Sequence, residues 1–237
     1  MQAVILAAGF GSRLRPLTDD RPKALIPLAG QPLLAHTLDA LVEIGVESTV
    51  VVAGHARGAL LDFLATRRAP AIAVAENPAY ATTNTLASLL CAAPALDGDF
   101  LLLDGDLIFD RAVLRPLLEP GTRLAVDRSR PLDDDAVKIA VAGERILGVG
   151  KTLAPGLTGV AESIGIAKID GATAACLFPL GRRLLAEGAA QAYYEAAFQH
   201  LIEAGVVFEA TDITGLNWVE IDDHDDLARA ESLFVAA

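Results

Sequence analysis

Short apolar runs alternate with longer amphipathic stretches through the first half of the chain. The runs are four to six residues long and predict buried strands at Ala3–Ala7, Ser48–Ala53, Ala71–Ala75 and Phe100–Leu103. Apolar residues at helical spacing predict the intervening helices at Pro32–Ile44, His55–Arg67 and Thr83–Ala92. Strands that alternate with helices are joined by right-handed crossovers, so this half is expected to form a parallel sheet with helices on both faces.

The second half of the chain has short strand patterns separated by turns. They predict strands at Leu124–Asp127, Val137–Val141, Ile146–Gly150, Ile164–Ile169, Val206–Ala210 and Asn217–Ile221. Such strands suggest antiparallel hairpins that extend the sheet or cover one end of it. Further helices are predicted at Ala172–Glu187, at Ala192–Ala204 and from about Asp225 to the end of the chain. Because no linker or repeat divides the sequence, we expect an α/β, Rossmann-like fold in a single domain over residues 1–237, with a mostly parallel sheet.

Charge and cysteine content narrow the class of protein. The chain has 19 Lys and Arg against 31 Asp and Glu, a formal net charge of −12, which argues against a nucleic-acid partner. A few well-placed cations can still bind a small anion.

The two cysteines predict neither a zinc site nor a disulfide framework. No apolar run approaches the ~20 residues of a membrane span, and the first residues lack the basic start of a signal peptide, so a cytoplasmic protein is expected.

A glycine turn, Gly9-Phe10-Gly11, follows the first predicted strand. Glycines there allow a sharp turn and allow a phosphate to approach main-chain N–H groups closely. Glycine turns after strands are also common without a ligand. A dinucleotide-binding fingerprint would need glycine or alanine where Leu14 stands, followed by a long helix, but Pro16 follows instead. A P-loop would need Gly-Lys-Ser/Thr, which this segment lacks.

The residues after this turn follow a longer pattern. They read Gly9-x-Gly11-x-Arg13-Leu14-x-Pro16-Leu17-Thr18, then Pro22-Lys23, then Pro27 and Gly30-x-Pro32-Leu33. With this pattern the chain resembles the large family of sugar-phosphate and phosphocholine nucleotidyltransferases, whose fold is GT-A-like. The resemblance implies that Arg13 neutralises a leaving pyrophosphate and that Lys23 reaches the α-phosphate and the acceptor phosphate. The implied nucleotide contacts in this region are Leu6, Ala8, Gly9, Gly11, Ser12, Arg13 and Lys23.

Two acids at strand ends are candidates for a metal site. Phe100–Leu103 leads into Asp104-Gly105-Asp106, and Trp218-Val219-Glu220-Ile221 leads into Asp222. Mg²⁺ prefers a few carboxylates together with water and phosphate oxygens. The family resemblance implies metal aspartates at Asp106 and Asp222. Asp104 is expected to order the turn and to lie beside the nucleotide, whereas Asp223 and Asp226 resemble a helix cap and its partner.

Two further segments bear on the choice of base and acceptor. Asn77-Pro78-x-Tyr80 followed by Thr83-Asn84-x-x-x-Ser88-Leu89 resembles the phosphocholine cytidylyltransferase branch, which implies that Thr83, Asn84 and Ser88 lie beside the base. Thr83 is equally a good helix N-cap. By the same resemblance Lys151 contacts the acceptor phosphate. Aromatic rings near carboxylates can bind an ammonium group, so the acceptor candidates are Tyr194, Glu195, Trp218 and Glu220.

The resemblance implies Mg²⁺-dependent transfer of a nucleotide, with CTP as the expected donor. The expected acceptor is phosphocholine or an aminoalkylphosphonate. The aminoalkylphosphonate is included because one tryptophan is few for the aromatic cage that a trimethylammonium group would need. A sugar-1-phosphate nucleotidyltransferase and a non-catalytic nucleotide-binding module remain alternatives. Residues 1–110 are expected to bind the nucleotide and residues 111–237 the acceptor, in a monomer or a homodimer with no nucleic-acid or membrane partner.

Overall fold

A nine-stranded sheet runs through the computed structural model, which describes residues 1–234. Its strand order is β5-β4-β1-β6-β11-β8-β12-β10-β9. The strands are β1 Gln2–Ala7, β2 Pro27–Leu28, β3 Gln31–Pro32, β4 Ser48–Ala53, β5 Ala71–Glu76, β6 Phe100–Asp104, β7 Leu107–Phe109, β8 Thr122–Asp127, β9 Lys138–Ala142, β10 Arg145–Gly150, β11 Ala161–Ile169, β12 Phe208–Asp212 and β13 Trp218–Glu220. The α-helices are α1 Leu33–Glu43, α2 Arg57–Leu64, α3 Thr85–Ala92, α4 Leu114–Leu117, α5 Gly171–Ala186, α6 Tyr194–Glu203 and α7 His224–Phe234.

The strands β5, β4, β1 and β6 are parallel, as the alternation of strands and helices predicted. Side chains along β1 point alternately to the two faces of the sheet, where Ile5 joins one apolar cluster and Val4 the other. The first cluster includes residues of α1 and α2, and the second includes residues of α3, α5 and α6. Both faces of the sheet are therefore covered, and the predicted α/β class is confirmed.

The other part of the sheet is mixed. Strand β11 pairs antiparallel with β6 and with β8, while β12 returns parallel to β8. The pairing of β11 with β8 shifts register between Ser163 and Ala167, around Gly165, whose φ is 75°. This bulge bends β11 where it passes the end of β6.

Several predicted element boundaries were wrong for identifiable reasons. Strand β5 was expected to be buried but is largely exposed, because it forms the edge of the sheet. Helix α2 begins at Arg57 rather than His55, since Ala56 has a left-handed conformation with φ 45°. The N-cap of α3 is Asn84, whose side chain accepts a hydrogen bond from the N–H of Thr85, and not Thr83. The predicted last helix extends beyond the described residues.

A short two-stranded ribbon brings the segment after β6 together with the segment before α7. Strand β13 pairs antiparallel with β7, and the N–H of Ile221 donates to the carbonyl of Asp106 at 3.0 Å. The ribbon places the residue after Ile221, Asp222, next to Asp106. At the start of α7 the carboxylate of Asp223 accepts from the N–H of Asp226, and the carboxylate of Asp226 accepts from the N–H of Asp223. This is the reciprocal cap that the sequence predicted. In the described part of the chain, no helix is both long enough and apolar enough to cross a membrane.

Candidate active site

A cavity of about 690 Å³ opens beyond the carboxyl ends of β1 and β6. Crevices in this position are where open α/β sheets bind ligands. The cavity is lined by the predicted residues Leu6, Ala8, Gly9, Arg13, Lys23, Thr83, Asn84, Ser88, Asp104, Asp106, Lys151, Tyr194, Glu195, Trp218, Glu220 and Asp222. Gly11 and Ser12 line an adjoining hollow of about 220 Å³, which they share with Gly9, Arg13, Lys23 and the two aspartates.

The glycine turn is held from behind by two side chains. Thr18, which is fully buried, donates from its hydroxyl to the carbonyl of Gly11 at 2.8 Å. The ring of His55 contacts the carbonyl of Thr18 at 2.9 Å, and its main-chain N–H donates to the carbonyl of Ala8 at 3.1 Å. Gly11 has φ 64°, and a Cβ there would lie 3.1 Å from Lys23. The turn therefore requires glycine at this position and has a fixed conformation suited to a phosphate.

Lys23 lies between the two predicted metal aspartates. Its ammonium Nζ is 2.7 Å from Oδ2 of Asp106 and 2.5 Å from Oδ1 of Asp222. Burial alone would lower the pKa of Lys23, but the two carboxylates raise it above its ordinary value. Burial would raise the pKa of Asp222, yet Lys23 and Arg13, whose guanidinium is 2.7 Å away, hold that pKa below its usual range. Lys23, Arg13 and Asp222 are therefore charged near neutral pH.

The residues at this position fit a divalent cation. Asp106, Glu220 and Asp222 each place one carboxylate oxygen within 4.8 Å of the others. The Oδ1 atom of Asp106 is buried and has no hydrogen-bond partner among the described residues. An oxygen-only donor set with an unsatisfied carboxylate oxygen matches what Mg²⁺ prefers. Glu220, which was predicted to bind the acceptor, thus lies with the metal candidates.

Asp104 does not order the Asp104–Asp106 turn as expected. Its Oδ2 accepts a hydrogen bond from the hydroxyl of Tyr194 at 3.0 Å, and its Oδ1 has no partner within residues 1–234. The turn is fixed instead by the N–H of Gly105, which donates to the carbonyl of Leu6 at 3.0 Å. Burial, together with the neighbouring charges of Asp106, Glu195 and Glu220, raises the pKa of Asp104 well above its usual range.

The predicted base-side residues share a polar network at the start of α3. The side-chain amide of Asn77 donates to the hydroxyls of Thr83 at 3.1 Å and Ser88 at 3.0 Å. Asn77 itself is buried, so it sets the orientation of hydroxyls that face the cavity. Since Asn84 caps the helix, Thr83 is free of that structural role, while Asn84 is committed to it.

The predicted acceptor residues line the same cavity, and Tyr194 adjoins the start of α3, where its N–H donates to the hydroxyl of Thr85 at 3.1 Å. Tyr194 and Trp218 are each only 2% exposed, and the indole N–H of Trp218 donates to Asp127 at 2.8 Å. The guanidinium of Arg130 lies 3.7 Å from the centre of the Trp218 ring. Glu195 is 6% exposed, and burial raises its pKa to about 7. Lys151 is more open, with its ammonium 3.3 Å from the carboxylate of Asp135.

Comparison with known proteins agrees with this geometry. Residues 3–146 match the model of the MobA-like NTP transferase domain. The chain belongs to this family. The expected relationship to nucleotidyltransferases is thereby confirmed.

Among the curated relatives of this chain is the CMP-5'-(3-aminopropyl)phosphonate synthase of Streptomyces rubellomurinus, 37% identical over 248 residues. That match covers 99% of this chain but 39% of the relative. The 2-aminoethylphosphonate cytidylyltransferase of Lancefieldella rimae is 34% identical over 116 residues, which are 48% of this chain and 46% of that protein. The matched segments therefore cover less than half the length of either relative.

Solved structures show the same fold. The inositol-1-phosphate CTP transferase of T. maritima superposes with a TM-score of 0.82 at 22% identity, covering 100% of this chain and 98% of that one. The CTP:phosphocholine cytidylyltransferase of Streptococcus pneumoniae gives a TM-score of 0.77 at 21% identity, covering 98% of each chain. These likenesses confirm the GT-A-like fold of the family.

Sequence reasoning missed one wall of the cavity. It is formed by residues of the loop after β8, of β11 and of α7, namely Arg130, Asp133, Asp135, Glu162 and Arg229. Arg130 also donates to the carbonyl of Trp218 at 2.5 Å, which ties the loop after β8 to the β7–β13 ribbon. The charged stretch Asp127-Arg128-Ser129-Arg130 followed by three aspartates was a local signal for this wall, but it matched no motif considered in the sequence.

Proposed function

We propose that this protein transfers the cytidylyl group of CTP to a small phosphorylated or phosphonate acceptor and releases pyrophosphate, with Mg²⁺ as cofactor. The observation that carries the proposal is the convergence of Lys23, Asp106 and Asp222 beside the Gly9–Gly11 turn. Cations, carboxylates for a metal and free main-chain amides within one hollow are what nucleotidyl transfer needs, because it requires alignment and neutralisation of charge.

In the proposed reaction an oxygen of the acceptor attacks the α-phosphorus of the nucleotide. A new P–O bond forms as the bond from the α-phosphorus to the bridging oxygen breaks, and the electron pair leaves with pyrophosphate. Lys23 would stabilise the α-phosphate, and Arg13 would neutralise the leaving group. Mg²⁺ held by Asp106 and Asp222, with Glu220 in reach, would neutralise charge on phosphate oxygens. The acceptor oxyanion is already ionised near neutral pH, so no general base is required.

The choice of CTP and of a small acceptor is supported by the relatives. Two curated relatives are named for cytidylyl or CMP transfer to aminoalkylphosphonates. On this proposal residues 1–110 bind the nucleotide, through the Gly9–Gly11 turn and the network around Asn77. Residues 111–237 then supply most acceptor contacts, including Lys151 for the phosphonate or phosphate.

A substrate matrix tests the proposal. The protein is incubated with MgCl₂ and each of CTP, UTP, ATP and GTP, against 2-aminoethylphosphonate, phosphoethanolamine, phosphocholine and glucose-1-phosphate. Pyrophosphate release and the mass of the product are measured. We expect turnover with CTP and one of the amino-containing acceptors. Turnover only with UTP and glucose-1-phosphate would assign the protein to sugar activation instead, and CTP binding without turnover on any acceptor would indicate a non-catalytic module.

A further inference from the structure

On the acceptor side of the cavity, two carboxyl groups each have one oxygen without a hydrogen-bond donor among the described residues. Glu195 is 6% exposed and lines the cavity, and its Oε2 is buried without a partner within the described residues. The Oδ1 of Asp104 has no partner either. Lys151 is the cation that acts electrostatically on Glu195, but its ammonium pairs with Asp135. The structure thus leaves two acceptor atoms for a ligand to satisfy.

A buried carboxylate oxygen without a donor is unfavourable, and burial raises the pKa of both groups. The hydroxyl of Tyr194 satisfies the other oxygen of Asp104, Oδ2, to which it donates at 3.0 Å. An organic cation can satisfy the two remaining oxygens only through N–H or O–H donors. A cation that has no such donors would leave them unpaired.

Two of the aromatic rings that line this cavity are not available to a ligand. Trp218 is 2% exposed, and the guanidinium of Arg130 already lies over its ring at 3.7 Å. Tyr194 is also 2% exposed, with its ring against Phe198 at 5.2 Å between centroids. Tyr194 therefore contributes a hydrogen bond to Asp104 and has no aromatic face open to a ligand.

The two other lining rings are unsuited for different reasons. Tyr193 is 44% exposed, and the ammonium of Lys151 lies 5.3 Å from its centre, so a second cation there would be repelled. Tyr80 follows β5 beside His55, with the ring centroids 6.2 Å apart, on the side of the cavity that carries the Asn77 network. A cage of free aromatic faces is therefore lacking among the cavity-lining residues of the described chain.

We infer that the acceptor carries a primary ammonium group, bound by Glu195 and Asp104 through its N–H donors, and that the site rejects a quaternary ammonium. This depends on the nucleotidyl transfer proposed above and specifies its acceptor. A primary ammonium has three donors for the two unsatisfied oxygens. A trimethylammonium group has none, and it relies on aromatic faces that Arg130 and Lys151 already occupy.

The test uses acceptor pairs that differ only in N-methylation. With CTP and Mg²⁺, kcat/KM is compared for 2-aminoethylphosphonate and its N,N,N-trimethyl derivative, and for phosphoethanolamine and phosphocholine. We expect the primary amine to be favoured at least ~100-fold in whichever pair is used, because sites built to hydrogen-bond a group discriminate strongly against analogues that lack its donors. Equal rates, or a preference for the trimethyl compound, would overturn the inference and leave the proposed transfer intact.

Binding separates this inference from the proposed function. If no acceptor supports pyrophosphate release, the proposed function fails, and calorimetric titration of the protein with each member of the pairs still decides the inference. Tighter binding of the primary amines supports it, and equal or weaker binding refutes it.

A variant assigns the effect to the carboxylate. Glu195→Gln should lower kcat/KM for 2-aminoethylphosphonate at least ~10-fold, mainly through KM, and should lower it by a much smaller factor for ethylphosphonate, which lacks nitrogen. An unchanged circular dichroism spectrum shows that the variant folds. Glu187→Gln, on an exposed glutamate beyond the end of α5, is the matched control and should behave as the unmodified protein. An equal loss for both acceptors would overturn the role of Glu195.

Discussion

The ammonium of Lys23 lies 2.7 Å from Oδ2 of Asp106, although 83 residues separate the two in sequence. The same ammonium contacts Asp222 at 2.5 Å, across 199 residues. One buried cation thus separates two acids that would otherwise repel each other. This arrangement makes Lys23 important both for the geometry of the acids and for the charge that a nucleotide would meet.

Replacing either member of this pair should nearly abolish turnover. We expect Lys23→Ala and Asp106→Asn each to reduce kcat at least ~100-fold, because charge stabilisation in comparable sites is of that size. Steady-state pyrophosphate release with CTP and the best acceptor is the measurement. Asp62→Asn, an exposed aspartate on α2, removes the same charge away from the cavity and should leave the rate unchanged. Near-normal rates in either site variant would count decisively against the assignment.

Lys23 and a divalent cation compete for the same carboxylates. Lys23→Ala should therefore bind Mn²⁺, used as a probe for Mg²⁺, about tenfold more tightly in the absence of nucleotide, whereas Asp222→Asn should bind it more weakly. Titration followed by electron paramagnetic resonance reports the free metal. Unchanged Mn²⁺ affinity in the lysine variant would show that the metal does not use the oxygens that Lys23 contacts.

The sequence predicted the parts of the fold that depend on local pattern. Strand–helix alternation predicted the parallel strands on both sides of β1, and the glycines at positions 9 and 11 predicted the turn that follows β1. That this turn binds an anion stays a prediction. The proximity of Asp106 and Asp222 followed from family resemblance, since its physical basis is a long-range contact: the β7–β13 ribbon and the hydrogen bond from Ile221 to Asp106.

Long-range packing decided what the sequence did not reveal. Nothing local showed that β5 would be an edge strand or that Glu220 would turn toward the two aspartates. Trp218 was expected to present its ring to an acceptor, but Arg130, 88 positions earlier, covers it. Composition gives the number of aromatic rings in a chain, whereas only coordinates show which faces are free.

Gly165 allows the contact between Asp104 and Tyr194. A Cβ at Gly165 would lie 2.5 Å from Oδ2 of Asp104, and its φ of 75° disfavours other residues. We expect Gly165→Ala to lower the free energy of unfolding by about 2–4 kcal/mol, from backbone strain and the displaced carboxylate together. Urea denaturation measures this loss. Gly143→Ala has a similar φ of 64° but open space, so it isolates the backbone cost, at about 1 kcal/mol. Equal losses would show that the carboxylate moves aside freely.

Glu195 should make acceptor binding depend on pH. Burial raises its pKa to about 7, with Tyr194 and Lys151 nearby acting in the opposite direction. The carboxyl is then neutral below pH 7 and charged above it, whereas an alkylammonium, like that of lysine, stays charged throughout. The acceptor KM should therefore fall as pH rises from about 6 to 8.

To isolate this effect, the acceptor KM of Glu195→Gln is divided by that of the unmodified protein at each pH. The titration of the acceptor phosphonate affects both KM values equally and cancels in this ratio. Stability gives a second readout. Between pH 4.5 and 7 the folded state holds a proton on Glu195 that the unfolded chain has lost, so this group's contribution to the free energy of unfolding falls as pH rises through that window. A pH-independent ratio would show that Glu195 does not titrate in contact with the acceptor.

Arg130 should control which ammonium groups the site accepts. Its guanidinium lies over the ring of Trp218, and both side chains line the cavity, so we expect Arg130→Ala to expose an aromatic surface there. We expect the preference for 2-aminoethylphosphonate over its trimethyl derivative to fall about tenfold, since a cation over a partly buried indole contributes roughly 0.5–2 kcal/mol. The ratio of kcat/KM values is the measure, because a general loss of activity lowers both acceptors alike. Arg111→Ala, which removes an exposed guanidinium paired with Glu43, should leave that ratio unchanged. If Arg130→Ala also leaves it unchanged while both acceptors are still used, covering of the Trp218 ring is not what excludes the quaternary group, and the exclusion must come from Glu195 and Asp104 alone.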